Sequence, residues 1–295
     1  IMVLDGDGNV LTEEMANGTK NKEKYWLNKI EHNSYYLGQG TEIELLERDE
    51  IAAGENGFGG AYRYFTYFCG FSGYKYAGKL MGLSAYGVAR NKYKDVHIFE
   101  LLPQGGIRCL LPDTDRLHSP EIVERWLSEQ GINIKARKPN EEITEDIENV
   151  AFLIQRELNR ALLHKVKWLV QKTGIKNLCI AGGVALNAVT NKVLLNESGI
   201  DGIFIQPAAG DGGQCLGNVF YGLNKFDSQH CKRKPVSVYQ GKEYSRDEIL
   251  EALQNESDFI KYQELLFDQL TKLAAEKIHE NKIIGWFQGR SEIGP

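Results

Sequence analysis

The sequence predicts an α/β protein. Three observations carry that expectation. Apolar runs at residues 1–4, 177–180 and 202–206 read as strands, and each is followed by a glycine-rich loop. The last two of those loops run into segments with helical apolar spacing. A long helical pattern over residues 145–172 precedes them. Strands that alternate with helices bury a sheet under helical layers.

Residues 1–4 (IMVL) are a short buried strand, and Asp5-Gly6-Asp7-Gly8-Asn9 is a tight turn after it. Glycine supplies the positive φ that such turns need. Residues 10–17 are expected to return as the partner strand, with residues 43–46 as a third strand. A stretch rich in glycine and aromatics follows from residue 58 to residue 86. Its middle, residues 61–69, suits a helix, and residues 78–87 suit a turn into another short helix. Residues 107–140 carry no clear pattern.

The clearest helix covers residues 145–172, where Ile147, Val150, Ala151, Ile154, Leu158 and Ala161 recur at steps of three and four. Thr144 is placed to cap it and Gly174 to end it. A strand at 177–180 leads through Gly182-Gly183 to a helix over about residues 185–195. A strand at 202–206 leads through a loop at 210–213 to a helix at 214–223. Residues 225–235 are polar, and the basic run Lys232-Arg233-Lys234 reads as a solvated linker. Helices at 246–253 and 265–280 and a strand at 283–287 would open a second α/β domain. The expected layout is a first domain at 1–223, a linker at 224–240 and a second domain from 241 to 295.

Bulk properties exclude several classes. The 295 residues, 42% apolar and 25% charged, have an ordinary globular balance. A net charge of −5 offers no bulk attraction to nucleic acid or to an anionic membrane. No apolar run is long enough to span a bilayer, and the first residues lack the features of a signal peptide. Five cysteines, none in a C-x-x-C, argue against a disulfide framework and for a cytoplasmic location. Each cysteine is expected to act as a small buried hydrophobe. A start inside a strand and an end at Gly294-Pro295 lead to the expectation of a piece of a longer protein.

Chemistry is expected at the loops. Asp5-Gly6-Asp7-Gly8 and Gly210-Asp211-Gly212-Gly213 both follow strands. Glycines let backbone N–H groups face a phosphate, and a helix N-terminus adds positive potential. The carboxylates of Asp5 and Asp211 suit a divalent cation on that phosphate. Gly182-Gly183 lets a ligand approach the backbone, and Asn187 offers a hydrogen bond. One Asp-Gly pair is an ordinary turn; three glycine loops at strand ends point to a nucleotide. Arg290 and Glu292 lie in the polar segment GWFQGRSEIGP, where a guanidinium suits phosphate or carboxylate. Lys79 follows a glycine but is weak evidence of a phosphate site, and the six histidines are scattered. No H-E-x-x-H, G-x-S-x-G or Walker loop is present.

Four strings in order, AGKLMGLSAYG (77–87), LCIAGGVALNAVTNKVL (178–194), PAAGDGGQCLG (207–217) and GWFQGRSEIGP (285–295), resemble the O-carbamoyltransferases of nodulation factors, cephems and aminoglycosides. The resemblance covers nearly the whole chain and is weakest at 107–140. It implies a first domain of the actin-like ATPase (ribonuclease H-like) fold, of the threonylcarbamoyl-transferase type. It implies a second domain that makes carbamoyl-adenylate from carbamoyl phosphate and ATP, with Arg290 and Glu292 in the matching motif. The first domain would pass the carbamoyl group to a hydroxyl of a small molecule or glycan. The resemblance also implies a metal, usually iron with magnesium as an alternative, held by two aspartates and two histidines. Asp5 and Asp211 match the aspartates, and no histidine of this sequence matches. Alone, this stretch is expected to be inactive in the complete reaction. Two other readings remain open: a small-molecule kinase on the same scaffold, and a nucleotide-binding module without catalysis. The GWFQGRSEIGP segment argues against the kinase.

Overall fold

The computed structural model describes residues 1–5, 30–51, 55–88, 93–112, 119–227, 237–256 and 258–294. It divides into two compact units, Ile1–Cys231 and Lys232–Gly294.

The first unit is an α/β body. Strand β1 (Met2–Leu4) has β2 (Ile30–Gln39) antiparallel on one side, with Met2 opposite Tyr35 and Leu4 opposite Asn33. β2 pairs with β3 (Glu42–Ile51) through a turn in which Gly40 takes φ 64°. The expected third strand, residues 43–46, lies inside β3. The expected partner strand, residues 10–17, lies outside the described residues. Both edges of β1 are already filled, because β6 (Asn177–Ala181) runs parallel on its other side. β7 (Gly202–Ile205) is parallel to β6 and closes the order β3-β2-β1-β6-β7. The short hairpin of β4 (Phe99–Leu101) and β5 (Ile107–Cys109) stands apart as a second sheet. β3 is an edge strand, and its charged residues guard it against pairing with other chains.

Helix α1 (Phe58–Phe68) opens three residues earlier than its apolar spacing suggests and buries Phe58, Tyr62, Phe65 and Phe68. A 3-10 turn at Tyr74–Tyr76 leads into α2 (Ala77–Leu83). Within the weakly patterned stretch, α3 (Pro120–Glu129) starts on proline, which costs a helix nothing at its first position.

Helix α4 (Glu145–Thr173) is the central element. Its apolar stripe joins the core with α1, β1 and β6. Gly174, at φ 70°, ends it in the left-handed conformation. Thr144 holds the N-cap position without a side-chain capping bond, so the cap seen in the sequence is positional only. The fully buried Glu157 side chain anchors α4 to the segment before β4. It accepts from Arg160 Nη2 at 2.8 Å, Arg156 Nη2 at 3.1 Å and the Ile98 amide at 3.0 Å. Burial alone would raise its carboxyl pKa; Arg160, Arg156 and His97 together outweigh burial and hold it below the usual value. On the sheet side, the fully buried Lys165 donates to Glu47 at 3.0 Å and to Asp49 at 3.2 Å. Asp49 also accepts from Tyr35, and burial with that carboxylate pushes the phenol pKa well up.

The helix expected from about residue 185 begins as a 3-10 turn, Gly183–Leu186, followed by α5 (Ala188–Glu197). The loop expected at 210–213 is a 3-10 turn, Asp211–Gly213, and α6 (Gln214–Phe226) runs past the expected end.

The second unit holds α7 (Arg246–Asn255), with a Ser245–Glu248 capping box, and α8 (Phe267–His279). Residues 283–287 are not the expected strand, and Ile283 is fully exposed. A strand needs a neighbour to take its backbone hydrogen bonds; among the described residues of this unit none lies beside it. The backbone pairing falls instead between residues 238–242 and 291–293, with Ile293 N–H to Val238 O at 2.7 Å and Gly241 N–H to Ser291 O at 2.8 Å.

Candidate functional site

The parallel strands β1, β6 and β7 end at the same edge of the sheet. Asp5 follows β1, Gly182-Gly183 follow β6, and the turn at Asp211 follows β7. In open α/β sheets, the carboxyl ends of parallel strands are where ligands bind.

Contacts between the loops are close. The Gly182 amide donates to Ala209 O at 2.8 Å, which ties the β6 loop to the β7 loop. Gly182 has φ 93°, and a Cβ there would lie 2.0 Å from the Leu4 carbonyl oxygen. Only glycine fits so close to β1. A methyl on Gly183 would sit 3.4 Å from Asp5 Oδ1, and one on Gly210 would sit 3.8 Å from the Gly183 Cα. Gly213 is pressed against Ala208 O, which a Cβ would approach to 1.9 Å, while Gly212 faces open space. The structure thus gathers Asp5, Gly182, Gly183, Gly210 and the Asp211–Gly213 turn at one edge. Gly183, Asp211 and Gly212 are exposed there. Gly6 and Gly8 lie outside the described residues.

Asn187 is differently employed. It is 8% exposed, its Oδ1 accepts the Thr190 amide at 2.9 Å, and its Nδ2 donates to Gln155 Oε1 at 2.9 Å. The side chain caps α5 and joins it to α4. Arg290 and Glu292 lie in the second unit. Arg290 Nε donates to Gly241 O at 3.0 Å, its Nη1 stands 3.9 Å from Glu243, and Glu292 is exposed. Lys79 lies over the Tyr76 ring at 4.5 Å. His164 bonds the Leu102 carbonyl at 2.8 Å.

The expectation for the cysteines needs correction. Cys69 is buried, and burial pushes its thiol pKa up, whereas Cys109 and Cys179 are half-buried and Cys215 is exposed on α6. No residue of α6 is buried, so the thiol has no core to enter there. Cys231 lies outside the described residues.

Among the described residues, no cluster of three or more His, Cys, Asp or Glu is arranged to hold a metal. Among the described residues, the strand-end loops offer two carboxylates, Asp5 after β1 and Asp211 after β7. No helix among the described residues is long and apolar enough to cross a membrane.

The sequence reading passed over His32, Asn33 and Asn56, buried polar residues at this same end of the sheet. The available signal was a His-Asn-Ser run inside a strand, where buried polar groups need a reason.

A model of the carbamoyltransferase N-terminus matches residues 1–220. The chain belongs to the O-carbamoyltransferase family. It is 29% identical over 299 residues to the nodulation protein NolO of Bradyrhizobium diazoefficiens, covering 100% of this chain and 47% of that protein. It is 32% identical over 219 residues to the nodulation protein NolNO of Sinorhizobium fredii, covering 74% of this chain and 30% of that protein. It is 24% identical over 231 residues to a 3'-hydroxymethylcephem-O-carbamoyltransferase of Amycolatopsis lactamdurans, covering 74% of this chain and 37% of that enzyme. The chain spans less than half the length of these relatives.

Proposed function

We propose that the chain carries the acyl-transfer site of an ATP-dependent O-carbamoyltransferase of the cytoplasm. The observation that carries this reading is the meeting of three loops at one sheet edge, at Asp5, Gly182-Gly183 and Gly210–Gly213. The sheet order, an antiparallel meander joined to parallel crossovers, supports an actin-like, ribonuclease H-like assignment for the first unit. Backbone N–H groups of the glycine loops, other than those of Gly182 and Gly213, which donate to Ala209 O and Gly210 O, would face the phosphate of a carbamoyl-adenylate made from carbamoyl phosphate and ATP.

In the transfer step, the acceptor hydroxyl oxygen bonds to the carbamoyl carbon. The bond from that carbon to the adenylate phosphate breaks, its electron pair leaves on AMP, and the hydroxyl proton passes to a base. Donors fixed at the phosphate stabilise the departing charge without reorganisation. Asp5 and Asp211 would hold a divalent cation together with the phosphate, and that cation would neutralise charge there. Oxygen donors alone suit magnesium; iron would take imidazole ligands as well. Asn187 supports the Gly182-Gly183 turn from behind by fixing α5 to α4. Arg290 and Glu292 belong, on this reading, to the part that handles carbamoyl phosphate and ATP.

The test supplies the chain with ATP, radiolabelled carbamoyl phosphate, a hydroxyl acceptor and the carbamoyl-adenylate-forming domain of a full-length relative. Labelled carbamate ester with AMP and pyrophosphate supports the reading. ADP would instead favour the kinase, and binding of ATP with no labelled ester would favour the non-catalytic module.

A further inference from the structure

Five polar side chains meet inside the apolar core, behind the turn that follows β6. They are Tyr62 on α1, Gln155 and Asn159 on α4, and Asn187 and Thr190 at the start of α5. Tyr62, Gln155, Asn187 and Thr190 are buried. Gln155 is the hub. Its Oε1 accepts from the Tyr62 hydroxyl at 2.9 Å and from Asn187 Nδ2 at 2.9 Å. Its Nε2 faces Asn159 Oδ1 at 2.9 Å, Thr190 Oγ1 at 2.9 Å and Asn187 Oδ1 at 3.1 Å. Both lone-pair positions of Oε1 are therefore filled, and the amide N–H groups have acceptors on every side. The Thr190 hydroxyl donates to Asn159 Oδ1 at 2.7 Å.

The network has one polarity. A backbone amide can only donate, and that of Thr190 donates to Asn187 Oδ1 at 2.9 Å. This turns Asn187 Nδ2 toward Gln155, which must present Oε1 to it. The Tyr62 hydroxyl, on the same oxygen, is then the donor. Burial pushes the Tyr62 pKa up, so the phenol keeps that proton at neutral pH. The Asn187 amide is thus fixed from two sides, by the backbone of α5 and by α1 through Gln155.

Asn187 closes the 3-10 turn Gly183–Leu186. Its own amide donates to Val184 O at 3.0 Å, and the Ala185 amide donates to Gly182 O at 3.1 Å. The bond from the Gly182 amide to Ala209 O holds the other end. Gly183, between these supports, is exposed beside Asp5. Stability alone does not call for such a network, because apolar side chains of the same shape can replace hydrogen-bonded partners at little cost. A fully satisfied polar network does something else: it specifies one arrangement.

We propose that Gln155 is a positioning residue which, held by Tyr62, sets the Gly183–Leu186 turn through Asn187, so that Gly183 stands beside Asp5. That the turn serves a phosphate rests on the carbamoyl-transfer reading; the positioning itself does not.

The test is amide hydrogen exchange, followed by NMR on the 295-residue chain, in the parent, Gln155→Leu and Tyr62→Phe, beside calorimetry of ATP with magnesium. Tyr62→Phe keeps the ring in place and carries the test should Gln155→Leu fail to fold. In each variant, exchange at Gly182, Ala185 and Asn187 is expected to rise roughly tenfold more than at Leu162 and Val166 in the core of α4. A role confined to overall stability would not single out the turn. The ATP affinity should fall about fivefold, less than in Asp211→Ala, because the turn is no longer preorganised. Turn amides that exchange no faster relative to the core overturn the positioning role. So does faster turn exchange with ATP bound as tightly as by the parent. A parent that binds no ATP, with faster turn exchange in both variants, would leave the positioning role standing and remove the phosphate reading.

Discussion

At the residue scale, glycines at the strand ends differ in what they tolerate. Gly182→Ala combines a positive φ with a Cβ 2.0 Å from Leu4 O, and Gly213→Ala puts a Cβ 1.9 Å from Ala208 O. Each is expected to cost at least ~1–3 kcal/mol in urea denaturation. Gly212→Ala, with nothing within 4 Å, should stay within about 1 kcal/mol of the parent. Equal losses at all three would contradict the packing described. Glu157 gives a pH signature. Its carboxyl pKa is held below the ordinary 4.5 in the folded chain. Its stabilisation is therefore complete above that ordinary value and is lost as pH falls through the folded one. Glu157→Gln should lose about 3 kcal/mol near neutrality. It should also flatten the fall in stability between about pH 5 and the folded pKa. A variant whose acid limb matches the parent would remove Glu157 from this role. The sequence exposes the glycines of the site because Asp-Gly and Gly-Gly loops have a local meaning. Glu157 is not legible, since one acidic residue on a long helix looks solvated until Arg156, Arg160 and His97 are folded around it.

At the element scale, long periodic segments are readable and short or bulged ones are not. The apolar stripe of α4 and the strands β6 and β7 follow directly from their patterns. β2 escapes because its bulges at Glu31/Asn33 and Tyr35/Tyr36 break the two-residue alternation and because His32, Asn33 and Ser34 are buried. α3 was within reach, since Ser119-Pro120-Glu121 is a start signal and Ile122, Val123, Trp126 and Leu127 share its buried face. Asn187 shows the converse, a polar residue at a loop whose side chain serves the fold. Asn187→Ala should cost ~1–2 kcal/mol by uncapping α5. Its ATP affinity should fall less than that of Asp211→Ala; an equal or larger loss by calorimetry, at unchanged stability, would return Asn187 to the ligand.

At the scale of the molecule, the buried hydrophobic cluster lies wholly within the first unit. Residues 1–231 alone should unfold in one cooperative transition by circular dichroism, and a broad, non-cooperative melt would contradict that. The order of the loops along the chain was legible, and with it the meeting of β1, β6 and β7 at one edge. The second unit was legible only as helices, because a strand at 283–287 is defined by a neighbour that the described residues of this unit do not provide. On the proposed function, the three strand ends form one phosphate site with Asp5 and Asp211. Its most direct measurement is calorimetry of ATP with the chain, with and without magnesium, beside Asp5→Asn and Asp211→Ala. Magnesium-dependent binding that weakens at least tenfold in each variant, at unchanged melting temperature, is the expected result. Binding of equal strength in the parent and both variants, or no dependence on magnesium, would contradict it.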